Sequence, residues 1–252
     1  TIIERTCSTS KKGATFALAN IHNIVSHTDA GIATGASIQK NKAKMLQFVE
    51  IAKQKGANIV LFPEFSLTGY FWPDPKWDRS KGAYNPNGDE ACWAYMNRGA
   101  VDNHKDWLKK MKAKLDDRLQ YIIFSALRRN PAHPSRPAGP ENKFLNSTYV
   151  IDKDFDCENL GNVEESHIYD YNKIFLPGIE NVYEKSGGKD ELVFETPWGR
   201  FGFTICYDMC FSQLYEAYAM INRVDGVIEL ASWRGPAVRS YPQMNIRTGE
   251  YY

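Results

Sequence analysis

The chain has 252 residues, 43% of them hydrophobic and 24% charged, which is enough to bury a substantial core and too apolar for a disordered polymer. Its 31 Lys and Arg balance 30 Asp and Glu, so no general field draws in nucleic acid or an anionic membrane, and small neutral partners stay open. Five cysteines (Cys7, Cys92, Cys157, Cys206, Cys210) are too few and scattered for a disulfide scaffold, and no apolar run approaches the roughly 18 residues of a membrane span.

The opening TIIERTCSTSKKG is polar rather than signal-like, which makes the cytoplasm the default expectation; with Thr1 as first residue, a removed address stays open. ATFALANIHNIV (Ala14 to Val25) reads as the first strand. A helix follows over SIQKNKAKMLQFVEIAKQKG, with Ile38, Met45, Val49 and Ala52 on one face and Gly56 where a C-terminal cap belongs. ANIVLF (Ala57 to Phe62) is a continuous apolar run of the kind buried on both faces of a parallel sheet, and strand, helix, strand is the opening unit of an α/β fold. Residues 71 to 104 read as an irregular excursion. HKDWLKKMKAKLDDRLQ returns to helix with one stripe of Trp107, Leu108, Met111, Leu115 and Leu119, its charges a solvated face.

YIIFSALRR (Tyr121 to Arg129) is the next strand, PAHPSRPAGPEN a Pro-rich loop, and FLNSTYVID a further strand. ELVFETPWGRFGFTICYD reads as two strands around a Pro-Trp-Gly turn, followed by a helix near Gln213 to Ile221 and a strand at GVIELAS. With no repeat and no linker, one domain over residues 1–252 is the economical reading.

Glu64 directly follows one buried run, in LFPEF, and Cys206 ends another, in GFTICYD; open α/β sheets place their sites at such strand ends. Taken alone, a cysteine there is a core residue, a Glu beside a Pro is exposed, and Lys173 in YNKIFLPGIE is solvated. Together the three segments VLFPEFSLTGY, YNKIFLPGIE and FGFTICYD resemble the nitrilase superfamily of carbon-nitrogen hydrolases, with its Glu, Lys and Cys in that order. Weaker agreement runs through NSTYVID, FETPWGRFGFTIC and ELASW, so the resemblance spans about Ala14 to Trp233.

The resemblance implies a four-layer αββα sandwich and a Glu64, Lys173, Cys206 triad. A thiol is a poor nucleophile at neutral pH unless a base takes its proton or a cation favours the thiolate, and here Glu64 would be the base and Lys173 the cation. Lys173 and the backbone N–H of Tyr207 would receive the oxyanion. A second Glu of the family is expected at Glu180, seven residues after Lys173, in preference to Glu184. Tyr70, Trp233 and Arg234 are candidate substrate contacts, beside the aromatic residues Phe71, Trp72 and Trp77.

CYDMC has no partner pair for zinc, so neither metal nor cofactor is expected, and the five histidines read as loop or surface residues. Asn146-Ser147-Thr148 satisfies a glycosylation pattern by chance, inside a strand. Family chains continue past ASW into further strands, so the sandwich is expected to lack its C-terminal strands and the domain to be C-terminally incomplete. The expected function is hydrolysis of a small amide or carbamoyl compound, by a homo-oligomer without nucleic-acid or membrane partners. The alternatives are a nitrilase, an amide-forming acyltransferase, or a non-catalytic interaction protein that retains the fold.

Overall fold

The computed structural model describes residues 13–21, 24, 34–70, 90–133, 135–160, 171–178, 180–188 and 192–232, and in it the apolar run at Ala57 to Phe62 lies in the middle of a sheet. Strands β1 (Phe16–Leu18), β2 (Ile59–Leu61) and β3 (Tyr121–Arg128) pair in parallel, and β4 (Leu145–Ile151) joins β3 antiparallel, from Ile122 opposite Ile151 to Arg128 opposite Leu145. In a second sheet β5 (Val193–Thr196) is antiparallel to β6 (Gly199–Ile205), and β7 (Gly226–Leu230) runs parallel to β6.

Period-two alternation along these strands separates two cores. Val60, Ile122, Phe124, Ala126, Tyr149 and Ile151 face helices α1 (Ala36–Gln54), α2 (Glu90–Gly99) and α3 (Lys105–Lys112). Their neighbours Ile59, Ile123 and Val150 point the other way, onto Phe203, Ile205, Ile228 and Leu230 of the second sheet. A single turn, α4 (Glu180–Tyr183), precedes β5. On the outer face of the second sheet, α5 (Ser212–Glu216) runs into a π turn over Ala217–Asn222. Tyr218 of that turn occupies the space left by the absent side chain of Gly202, and its hydroxyl donates to the Phe203 carbonyl at 2.8 Å. Helix, sheet, sheet, helix is the αββα layering that the resemblance implies.

The stripe Ile38, Met45, Val49 and Ala52 of α1 is buried as its spacing requires. Gly56 ends that helix at φ +74°, a conformation costly for any residue with a Cβ, and a side chain there would collide with the Arg118 guanidinium. Other expectations need correction. The helix expected to continue through Leu119 stops at Lys112, because Asp116 Oδ1 accepts from the N–H groups of Arg118 (2.9 Å) and Leu119 (2.7 Å) and turns the chain toward β3. Among the described residues the first strand covers Phe16–Leu18. The excursion from 71 to 104 contains α2, with Cys92, Trp93, Tyr95 and Met96 buried; residues 71–89 lie outside the described residues. His104 is buried rather than superficial, its Nδ1 3.5 Å from Lys42 Nζ, and burial together with that ammonium pushes its pKa down to about 4.

Candidate active site

The carboxyl ends of β2, β6 and β7 converge. Just past β2, the chain turns sharply at Glu64–Thr68, with Phe65 at φ +53°. At the end of β6 the chain enters a 3-10 turn over Cys206–Cys210, and Cys206 itself has φ +47°. Among the described residues three non-glycines have positive φ, and two of them are Phe65 and Cys206. Such left-handed conformations cost about 1 kcal/mol or more, so the surrounding structure holds both against their preference.

Lys173 joins the first of these turns to Glu180. Its Nζ donates to Glu64 Oε1 at 2.8 Å and to Glu180 Oε2 at 2.6 Å, and all three side chains have no exposed surface. Glu64 takes two more donors, Asn146 Nδ2 at 2.9 Å and the Ser232 N–H, just beyond β7, at 3.2 Å. Asn146 is oriented in turn by Ser125, whose Oγ donates to Asn146 Oδ1 at 2.7 Å, while the Lys173 N–H donates to the Asn146 carbonyl at 2.8 Å. One residue of β4 therefore aligns both the base and the ammonium. Glu180 also accepts from Tyr70 at 3.0 Å, and the Tyr70 ring packs edge-on against Phe65.

Asp208 fastens the Cys206 turn to the Lys173 segment. It is fully buried and accepts from the N–H groups of Phe175 (2.8 Å), Ile174 (3.2 Å) and Ile205 (3.0 Å) and from the Tyr171 hydroxyl (2.7 Å). Gly187 completes the clamp: its N–H donates to the Lys173 carbonyl at 2.9 Å, and a Cβ there would run into the Asn172 backbone.

The electrostatics follow from burial and neighbours. Burial opposes charge on Lys173, but the charges of Glu64 and Glu180 outweigh it and hold the ammonium protonated. Burial, and after it the charge of Glu64, pushes Glu180 up to about 7 against the pull of Lys173 and Tyr70. For Cys206 burial and Glu64 raise the pKa further than Lys173 lowers it, so the resting group is a thiol beside a carboxylate.

The structure thus gathers Glu64, Lys173, Glu180 and Cys206, and the Tyr70 hydroxyl donates to Glu180. Trp233 and Arg234, with Phe71, Trp72 and Trp77, lie outside the described residues. Tyr207 follows Cys206 with its side chain partly exposed. Asn146, Ser125 and Asp208 were missed in the sequence; NSTYVID, IIFSAL and CYD contained them without showing what they touch. Among the described residues no cluster of His, Cys, Asp and Glu is arranged to hold a metal, and no helix is long and apolar enough to cross a membrane.

Comparison with known proteins places the chain in a family. The chain is 24% identical over 201 residues to a probable nitrilase, C965.09, of Schizosaccharomyces pombe, covering 79% of this chain and 60% of the relative's length. Its fold is similar to an amidase from Nesterenkonia AN1 (TM-score 0.58, 16% identity, 90% of this chain and 69% of that one). It is also similar to the glutamine-dependent NAD+ synthetase of Acinetobacter baumannii (TM-score 0.50, 23% identity, 78% of this chain and 30% of that one). A family model described as carbon-nitrogen hydrolase matches residues 28–224, well over half of the chain, and the chain therefore belongs to the carbon-nitrogen hydrolase family of the nitrilase superfamily.

Proposed function

We propose that the protein hydrolyses the carbon-nitrogen bond of a small amide or carbamoyl compound through a thioester on Cys206. The observation that carries this reading is the buried Lys173 ammonium joined to both Glu64 and Glu180, with the Cys206 thiol beside Glu64. As Cys206 Sγ attacks the substrate carbon, its proton passes to Glu64, and the charge growing on oxygen is met by Lys173 and the Tyr207 N–H. Collapse breaks the C–N bond, and the proton on Glu64 leaves with the amine or ammonia. Water then attacks the thioester, giving its proton to Glu64, which returns it to the departing sulfur. Glu180, held by Tyr70, keeps Lys173 between the base and the oxyanion position.

The amidase of similar fold has been seen in complex with acrylamide, which favours a small acyl group as the first substrate to try. Amides, carbamoyl compounds and nitriles are offered in turn, with ammonia release assayed and adducts located by intact mass and peptide mapping. The expected result is an acyl adduct on Cys206 and its absence from Cys206→Ala, with turnover reduced by about four orders of magnitude or more. Turnover of nitriles alone would reassign the protein to nitrilases, and transfer of the acyl group to an added amine to acyltransferases. Neither adduct nor ammonia across the whole panel would refute the hydrolase reading.

A further inference from the structure

Glu184 is a buried acid for which the thioester mechanism has no use. It is 1% exposed, in a parallel bridge with Phe144, and its N–H donates to the Glu180 carbonyl at 2.7 Å, which sets its side chain on the same face as Glu180. Neither carboxyl oxygen meets a donor among the described residues, although an unpartnered buried charge of this kind costs several kcal/mol. The carboxylate that precedes it by one turn on the same face is Glu180, and it is an acceptor. Lys173, the ammonium of the cluster, directs donors at Glu64 Oε1 and Glu180 Oε2. Three buried carboxyl groups thus surround one ammonium. The hydrogen bond left to Glu184 is one in which it supplies the proton itself.

We infer that Glu184 is a neutral carboxylic acid that donates to Glu180 and acts as a positioning residue, completing a chain Glu184, Glu180, Lys173, Glu64. This rests on the proposed reading of Glu180 and Lys173 and deepens it. The donated proton stabilises the ionised form of Glu180, which is the form that accepts from both Lys173 and Tyr70, and it spares the site a third negative charge when the oxyanion develops. The charged groups near Glu184 are Glu180, Lys173 and Glu64; on the Phe144 side Lys143 bonds to the Asn181 carbonyl, and Lys185, whose N–H donates to Phe144, directs its ammonium to Asn130 Oδ1.

Two measurements test this. Infrared difference spectra of the wild type against Glu184→Gln, at pH 8 and without substrate, are expected to show a protonated-carboxyl band that the variant lacks. No such band overturns the inference whatever the protein is found to hydrolyse, so its failure is distinguishable from failure of the hydrolase reading. The second measurement is the pH profile of kcat/KM. Glu184→Gln keeps a neutral donor and should keep the acidic limb within a few tenths of a unit, whereas Glu184→Leu removes the donor and should move that limb upward by about one pH unit with KM little changed. Superimposable profiles for the Leu variant and wild type would overturn it, and thermal unfolding establishes that both variants are folded.

Discussion

At the scale of single residues, Asn146 makes three separate connections within the site. Its amide donates to Glu64, its amide oxygen is held by Ser125, and its carbonyl receives the Lys173 N–H. Asn146→Ala leaves the backbone link in place and removes the side-chain bonds to Glu64 and Ser125. A hydrogen bond to a charged group is worth about 1.5 to 3 kcal/mol, so kcat/KM should fall by roughly tenfold to a hundredfold with the melting temperature only modestly reduced. Retention of full kcat/KM would show that Glu64 is oriented without it. Nothing in NSTYVID announces this role: Asn is ordinary near a strand start, and its partners lie 82 and 21 residues away in sequence. Glu64 and Lys173 are similar cases, since a carboxylate beside Pro63 and a lone lysine read individually as solvated, and the order of the three segments is what joined them.

Among elements, the join between the β6 end and the segment that carries Lys173 depends on one carboxylate. Asp208 has four donors and no exposed surface, so its removal leaves three backbone N–H groups and the Tyr171 hydroxyl unanswered in the interior. Asp208→Ala is expected to destabilise the fold by about 3 kcal/mol or more, read as a lowered urea midpoint, and to disable the site even where the protein still folds. An unchanged midpoint would remove Asp208 from its place as the clamp. The strands were legible because period-two alternation and continuous apolar runs report burial directly, and the stripe of α1 was legible for the same reason. What was not legible is where an element stops. Asp116 ends the α3 region by side-chain hydrogen bonds to Arg118 and Leu119, without the Gly or Pro that marks a helix end in sequence. The α2 segment was hidden because aromatic and small residues fill its buried face and its neighbours in sequence carry Pro and Gly.

For the whole molecule, the buried ion cluster sets activity against stability. Glu180 is raised from 4.5 to about 7 on folding, by burial and by Glu64. Between those values the folded protein binds more protons than the unfolded chain, so this group's contribution to stability is fully present below the lower value and is lost as pH rises through the upper one. On the proposed reading activity runs the other way, because Lys173 and Tyr70 need the ionised carboxylate. Wild-type kcat/KM should therefore rise through pH 7 over the range in which this contribution to the melting temperature declines. Glu180→Gln should have a flatter dependence of melting temperature on pH between about 5 and 7. An identical dependence in variant and wild type would assign the raised proton affinity elsewhere.

The place of Asn146 also bears on how the protein is produced. Asn146-Ser147-Thr148 is an acceptor sequence for N-linked sugar, and in a secretory host that sugar is attached to the nascent chain before burial can hide the site. The atom modified would be the amide nitrogen that donates to Glu64, on a residue of β4 that is 1% exposed. A glycan has no room there. Choice of expression compartment thus decides whether β4 can take its place in the sheet at all, and protein made through a glycosylating pathway needs Thr148 replaced before its inactivity says anything about chemistry.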